Sequence, residues 1–357
     1  MNIMVFDVPA ESGGALSVLN DFYYEVLKNN NKNITWIFVL STSSLEETEN
    51  IKVLRFPWIK KSWGHRYFFD QIIAPKLVKQ HKVDKIVSLQ NVTVPKTNCD
   101  QTLYIHQPLP FVDYKFSFKE NKLFWVYQNM IGRNIISSIK KAQHVIVQTE
   151  WMKKACVAKA QINNNKVEVI PPVVHFEIKK YFEPKGKSFS TFFYPASGIQ
   201  YKNHQIIIDA CKLLKSSMID YEVIFTLNGN ENEYVENLFR QVQKEMLPIK
   251  FEGMKTRKEV FDLYTKSVLL FPSYIETYGM PLLEAKLHKS IIFASNTVFS
   301  REILEGYENA YYFETFNTED LCKLMYKYLH QEIEYKKEVG TELNVEKQNN
   351  ELINLLI

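Results

Sequence analysis

An α/β architecture of two doubly wound, Rossmann-like domains facing across a cleft is predicted by three features of the 357-residue chain. Short apolar runs rich in β-branched residues alternate with longer helical patterns, which is the signature of parallel β/α units. The alternation breaks once, after Pro171 and Pro172, and then resumes. The chain is also long for a single core but suits two domains of roughly 170 residues each.

The first series of runs is IMVFDV at 3–8, WIFVL at 36–40, KIVSL at 85–89, TLYIH at 102–106, HVIVQ at 144–148 and VEVIPP at 167–172. The two prolines stop the last run, because proline cannot donate to a ladder. The polar, lysine-rich KKYFEPKGKS at 179–188 follows as a linker and hinge. A second series then begins with FFYPA at 192–196, EVIFTLNG at 222–229 and IKFEG at 249–253, and continues with VLLFPS at 268–273, SIIFAS at 290–295 and AYYFE at 310–314. The expected domains are therefore 1–175 and 188–335, with a C-terminal helix over 336–357 packing back toward the N-terminal domain. Ligands belong in the crevice at the carboxyl ends of such strands.

Apolar residues make up 46% and charged residues 24%, a globular composition that excludes a long disordered or low-complexity region. Cys99, Cys156, Cys211 and Cys322 are scattered without C-x-x-C or Cys/His spacing, which excludes a disulfide framework or a zinc site and points to a reducing cytoplasm. The start reads as a buried strand rather than a signal peptide, and no apolar run approaches the ~20 residues of a membrane span. Residues 1–175 carry 22 Lys+Arg against 14 Asp+Glu, whereas 176–357 carry 22 against 26, so the halves are +8 and −4 within a net +4. A basic half suits nucleic acid, an anionic membrane or an acidic substrate, but the charges are spread as on an ordinary solvated surface.

The densest chemistry lies in FPSYIETYGMPLLEAKLHKSIIFASNTVFSREIL, residues 271–304. Pro281 precedes an apolar helical pattern and marks a first helical turn, where its missing N–H costs nothing. The N–H groups of Thr277, Tyr278, Gly279 and Met280 and the positive helix end then converge on a site for an anion such as a diphosphate. Glu276 lies in the loop before the helix and Glu284 within it. A carboxylate takes charge-assisted hydrogen bonds from a ribose diol, sugar hydroxyls, or positive charge developing at an anomeric carbon. On spacing alone, ordinary surface glutamates explain the pair equally well.

A strand ending in Pro-Ser, then Glu, seven residues and a second Glu followed by Ala, with Gly and Pro between, resembles the signature of the retaining glycosyltransferases of family 4, which have the GT-B fold. KFEGMKTRKEVFDLYTKSVLLFPS resembles the family segment leading into the motif and SIIFASN the strand after it, while Arg301-Glu302 sits where the family has a polar pair opening the next helix. The resemblance implies that Glu284 binds the donor ribose and that Glu276 lies beside the transferred sugar.

In YPASGIQYKNHQIIIDACKLL, residues 194–214, Lys202 stands just before a helix, where an ammonium suits a diphosphate leaving group. The family pairs this lysine with an arginine a few residues earlier; here Ser197, Gly198 and Gln200 stand instead. Ser197 and Asn203 join the donor-binding set by their place in this loop. In the first half, Gly13-Gly14 between the first strand and a helix lets the backbone approach donor phosphates, or simply makes a tight turn, and G-x-G-x-x-G is absent. His106 in YIHQPLPF ends a predicted strand and points into the cleft; lone histidines are mostly structural, but many family members have one here contacting the transferred sugar. Thr149 in QTEWMKK matches a hydroxyl residue that the family often places near the acceptor. The stretches 55–69 and 115–141 interleave Trp, Phe and Tyr with Lys and Arg, as for an interfacial site on anionic lipid or for core aromatics with snorkelling lysines.

The reading is retaining, metal-independent transfer of a sugar from a nucleotide diphosphate sugar to a saccharide or lipid-linked acceptor, in surface polysaccharide or glycolipid assembly. Glu276, His106 and Lys202 are the candidate catalytic residues. No cofactor is expected besides the donor substrate, no Asp-x-Asp offers a divalent-ion site, and no nucleic acid is expected as partner. The expected location is cytoplasmic, with a contact to the inner membrane face. A sugar-nucleotide epimerase of the same fold and a non-catalytic glycosyltransferase-like binding subunit are the alternatives.

Overall fold

The computed structural model describes residues 1–11, 13–29, 31–172, 178–217, 219–337 and 352–356. They divide into two compact units, residues 1–174 with 347–357, and residues 175–346.

The first unit holds strands β1 (Asn2–Phe6), β2 (Thr35–Leu40), β3 (Ile51–Arg55), β4 (Lys85–Ser88), β5 (Asp100–Tyr104), β6 (His144–Val147) and β7 (Val167–Val169). They form one parallel sheet in the order β3-β2-β1-β4-β5-β6-β7, with Val5 opposite Phe38 on one side and Val87 on the other. The order reverses between β1 and β4, the switch point where a doubly wound sheet opens at its carboxyl edge. Helices α1 (Gly13–Asn29), α2 (Trp63–Phe68), α3 (Ala74–Gln80), α4 (Lys122–Val126), α5 (Gly132–Lys141) and α6 (Glu150–Ala160) accompany the sheet. Five-residue π turns at Phe69–Ile73 and Tyr127–Ile131 run between α2 and α3 and between α4 and α5.

Strand β3 was not among the expected runs. Its IKVLR has a buried Ile51 and otherwise partly or fully exposed side chains, so an edge strand of this kind lacks the continuous apolar run that marks a central one. Side chains on one face of β1 and β2, including Val5, Trp36 and Phe38, pack with Phe22 and Val26 of α1. Met4, Phe6, Ile37 and Val39 pack on the other face with Phe69 and Val78, and a further cluster joins Leu103 and Val145 to Ile139 and Met152.

Most of the expected C-terminal helix, 338–351, lies outside the described residues. Leu352–Leu355 form a single 3-10 turn. Leu352, Ile353 and Leu356 are buried in the α1 core, and the Ile353 N–H donates to Glu25 Oε2 at 3.1 Å.

The second unit holds β8 (Thr191–Tyr194), β9 (Glu222–Phe225), β10 (Ile249–Phe251), β11 (Val268–Phe271), β12 (Ile292–Ser295) and β13 (Ala310–Phe313), parallel and in the order β10-β9-β8-β11-β12-β13. Its switch point lies between β8 and β11. Helices α7 (His204–Leu214), α8 (Glu233–Glu245), α9 (Arg257–Tyr264), α10 (Met280–Leu287), α11 (Val298–Ile303) and α12 (Thr318–Leu329) alternate with the strands. All four residues of β8, β11 and β12 are buried, as expected of strands covered on both faces. In the linker, Phe182 is buried and donates its N–H to the His288 carbonyl at 2.7 Å.

Candidate active site

Two loops of the second unit carry the expected donor residues, and they follow the two strands that flank its switch point. After β8 the chain makes a 3-10 turn, Gln200–Lys202, and enters α7 through Asn203, whose left-handed φ of 57° sharpens the bend. After β11 it runs through Pro272 and Ser273 to Glu276. The loops are stitched together, since Tyr274 N–H donates to the Tyr201 carbonyl at 3.1 Å and Ser273 Oγ lies 3.3 Å from the same oxygen. Buried Tyr194 anchors the first loop from beneath by donating its hydroxyl to the Lys202 carbonyl at 2.7 Å. Asn203 Nδ2 donates to the Thr315 carbonyl at 3.3 Å.

This scaffold brings Lys202 and Glu276 together, 74 residues apart, in an ion pair between Lys202 Nζ and Glu276 Oε1. Ser273 Oγ donates to the same carboxylate oxygen at 2.8 Å. Both charged side chains keep less than a fifth of their surface exposed, which strengthens the pair relative to one on an open surface. Ser273 entered the sequence reading only as part of the Pro-Ser strand end, without a role of its own, and the tyrosine anchors were not singled out.

The motif helix α10 begins as the sequence predicts, with Pro281 in its first turn. Gly279 is its N-cap at φ 91°, a left-handed conformation that suits glycine, and an added Cβ would meet Leu282 Cδ1 at 3.2 Å. Gly279, as the N-cap residue, supplies no side-chain cap bond. Thr277 and Tyr278 are half-buried in the bend before it.

Glu284 stands on α10 apart from the lysine pair. The buried Tyr264 hydroxyl donates to its Oε2 at 3.1 Å, and Arg257 Nη2 approaches its Oε1 at 3.6 Å. Burial pushes the Glu284 carboxyl above its usual value, with Arg257 and the Tyr264 hydrogen bond opposing. Arg257 and Tyr264 went unnoticed in the sequence, although Thr256 and Glu259 spell the capping box that fixes the start of α9.

In the loop that lacks the arginine, a Cβ built at Gly198 would lie 2.1 Å from Val235 Cγ2, so a side chain there would have to displace Val235, and Asn232 Nδ2 holds the Gly198 carbonyl at 2.9 Å. Ser197 is exposed. One expectation is corrected: Arg301-Glu302 does not open α11. The helix begins at Val298 with Thr297 as its cap, because the threonine hydroxyl accepts the Ser300 N–H at 3.3 Å. Arg301 instead donates to Asn296 Oδ1 at 2.8 Å, with its guanidinium 3.6 Å from the Tyr312 ring centre.

In the first unit, Gly13-Gly14, His106 and Thr149 follow β1, β5 and β6 at the carboxyl edge of the sheet. Gly13 has φ 60° and opens α1, and no atom lies within 4 Å of a Cβ built at either glycine. Strand β5 ends at Tyr104, so His106 lies two residues beyond the strand rather than ending it; Asn91 Oδ1 displaces the ladder by accepting the N–H groups of His106 and Gln107 at 2.7 and 3.0 Å. Burial lowers the His106 imidazole to about 4, which leaves it neutral at pH 7. Thr149 is buried and begins α6 as its N-cap residue without a side-chain cap bond. Asp7, just past β1, is fully buried, and its carboxyl is pushed well above the usual range by that burial, against the pull of Arg66 and Lys60. Among the described residues no group of three His, Cys, Asp or Glu side chains gathers to hold a metal ion.

Two parallel, doubly wound sheets of this kind, with Lys202 and Glu276 on loops of the second and Glu284 on the helix that follows, define a GT-B glycosyltransferase fold. The family model for glycosyl transferases group 1 matches residues 156–342, a little over half of the chain, and the chain belongs to that family. No curated protein matches it in sequence. Among solved structures it is similar to a sucrose-phosphate synthase from Thermosynechococcus elongatus, with a TM-score of 0.70 and 12% identity over 92% of this chain and 90% of that one. It is also similar to HepE of Anabaena in complex with UDP and glucose, with a TM-score of 0.63 and 16% identity over 91% and 89%. A third, the lipopolysaccharide outer core galactosyltransferase WaaB in its apo form, gives 0.64 and 15% over 94% and 92%. At these identities the likeness to solved structures is one of fold.

Proposed function

We propose that this glycosyltransferase moves a sugar from a nucleotide diphosphate sugar to a saccharide or lipid-linked acceptor, with retention at the anomeric carbon and without a metal or resident cofactor, in the assembly of a surface polysaccharide or glycolipid. The observation that carries the reading is the Lys202–Glu276 pair at the switch point of the second sheet, with Glu284 on the helix that follows. The ammonium of Lys202 and the start of α10 at Gly279 stabilise negative charge on the departing diphosphate, which can itself take the acceptor proton. Thr277, Tyr278 and Met280 line the approach to that helix end, with Ser197 and Asn203 in the facing loop. Glu276 orients the donor sugar and Glu284 the nucleoside, through hydroxyl hydrogen bonds that a carboxylate accepts strongly. Gly13 and Gly14 leave room for the donor phosphates, neutral His106 contacts the transferred sugar, and Thr149 lies toward the acceptor. The UDP and glucose found with HepE support this donor class.

We further read the first unit as the acceptor-binding part, working at the inner face of a membrane. Trp63, Tyr67, Phe68, Phe118, Leu123 and Met130 are exposed on and beside α2 and α4, and Trp63 touches Tyr127 with ring centres 6.3 Å apart. Lys60, Lys61, Lys119 and Lys122 flank them, a pairing of apolar and basic groups that suits an anionic interface. No helix of the described residues is long and apolar enough to cross a membrane.

The test is release of nucleoside diphosphate from a panel of sugar nucleotides, with and without saccharide and lipid acceptors. Acceptor-dependent release with a retained anomeric configuration supports the reading. Interconversion of sugars without acceptor would make the protein an epimerase, and no turnover of any donor would favour a binding subunit.

A further inference from the structure

Arg257 opens α9, with its guanidinium carbon 5.4 Å from the ring centre of Phe261 one turn later. From that seat it faces Glu284 Oε1, while Tyr264 from the far end of the same helix occupies Oε2. Helix α9 thus addresses both oxygens of the carboxylate, one through a cation and one through a hydroxyl. We propose that Arg257 is a positioning residue for the nucleoside: it keeps the Glu284 carboxylate in the anionic, oriented form that a ribose diol binds. The inference rests on the donor-site reading of Glu284.

The other charged groups nearby are engaged elsewhere. On α10 itself, Lys286 Nζ donates to the carbonyls of Ile303 and Glu305, at 3.0 and 3.2 Å. His288 Nδ1 lies 2.7 Å from the Glu284 backbone carbonyl rather than from its carboxylate. From α11, Arg301 stacks on Tyr312, and Glu302 acts on Tyr278. Strands β11 and β12, which also pack against α10, contribute no ionisable side chain. Arg257 is therefore the cation that acts on the carboxylate, in opposition to its burial. An anionic carboxylate accepts both hydroxyl protons of a diol, whereas a protonated one spends an oxygen as a donor. Because Arg257 pairs with Glu284, the proposed ribose ligand, its role is placed at the nucleoside rather than at the missing phosphate cation.

The experiment is titration of wild type, Arg257→Ala, Arg257→Lys and Glu284→Gln with UDP, GDP and ADP between pH 5 and 8, repeated with the 2′-deoxy analogue of the tightest binder. Removing a nearby cation raises a carboxyl pKa, so the acid-side loss of affinity in Arg257→Ala is expected to move up by about one pH unit, with Arg257→Lys close to wild type. Below both midpoints the variant then binds up to about tenfold more weakly, and the deoxy analogue shows little of the shift. Superimposable pH profiles of Arg257→Ala and wild type, with Glu284→Gln impaired, would overturn the inference while leaving the donor site intact. Wild-type binding of none of the three, or Glu284→Gln binding as wild type does, would overturn both. Thr256 and Glu259, which cap α9, are untouched in every variant.

Discussion

Lys202 and Glu276 are bonded to each other before any donor arrives, so replacing either alters the other. In Lys202→Ala the Glu276 carboxylate, largely buried, keeps Ser273 Oγ as a donor but loses its counter-charge. In Glu276→Ala the ammonium is released from its anchor and can wander from the diphosphate position. Losing one preorganised stabiliser of transition-state charge costs about 10²-fold in turnover, equivalent to ~2.7 kcal/mol. Two charges in contact within one network are expected to couple by about 1–3 kcal/mol, so the double variant should be only modestly worse than the worse single one. The assay is a double-mutant cycle on kcat and kcat/KM, read by release of nucleoside diphosphate, with thermal unfolding to verify that each variant folds. Glu276→Ala should lower turnover far more than nucleotide affinity. Lys202→Arg is not expected to restore activity, because a planar fork replaces a compact point charge in a site bounded by Ser273 and Tyr201. Near-normal turnover in Lys202→Ala, or single losses that simply multiply in the double variant, would refute the reasoning.

Glu284→Ala should weaken binding of the donor and of the free nucleotide in parallel, by roughly 10- to 100-fold for a charge-assisted contact worth about 1.5–3 kcal/mol, as calorimetry on both ligands can check. His204 lies fully buried between Tyr194 and Phe225, with its imidazole lowered by burial to about 3. As pH falls below the ordinary value of 6.5 the unfolded chain takes up a proton there and the native one does not, so stability present above 6.5 is lost toward acid, by about 2 kcal/mol at pH 5. Denaturant unfolding of His204→Phe should lack that portion of the acid loss, and an unchanged pH dependence would remove His204 as its source. Wild-type protein should sediment with anionic vesicles at low salt, and charge reversal at Lys60, Lys61, Lys119 and Lys122 should abolish this; a wild-type protein that stays in solution points instead to a soluble acceptor.

The alternation of buried β-branched runs determined the two α/β units, because a strand covered on both faces has to be apolar throughout and so advertises itself. The Pro281 signal for the start of α10 and the spacing of Glu276 and Glu284 were equally local and could be read directly. Strand β3 escaped because an edge strand with one buried residue in five has no such period, and β5 ended early because Asn91, in a separate loop, claims the N–H of His106. Tertiary structure alone decided the pairing of Lys202 with Glu276, since strand order at the switch point, rather than sequence distance, sets the β8 and β11 loops side by side. It likewise set Arg257 and Tyr264 on the two oxygens of Glu284. A side chain's charge is written in the sequence, but its partner is fixed by packing between elements whose order in space differs from their order in the chain.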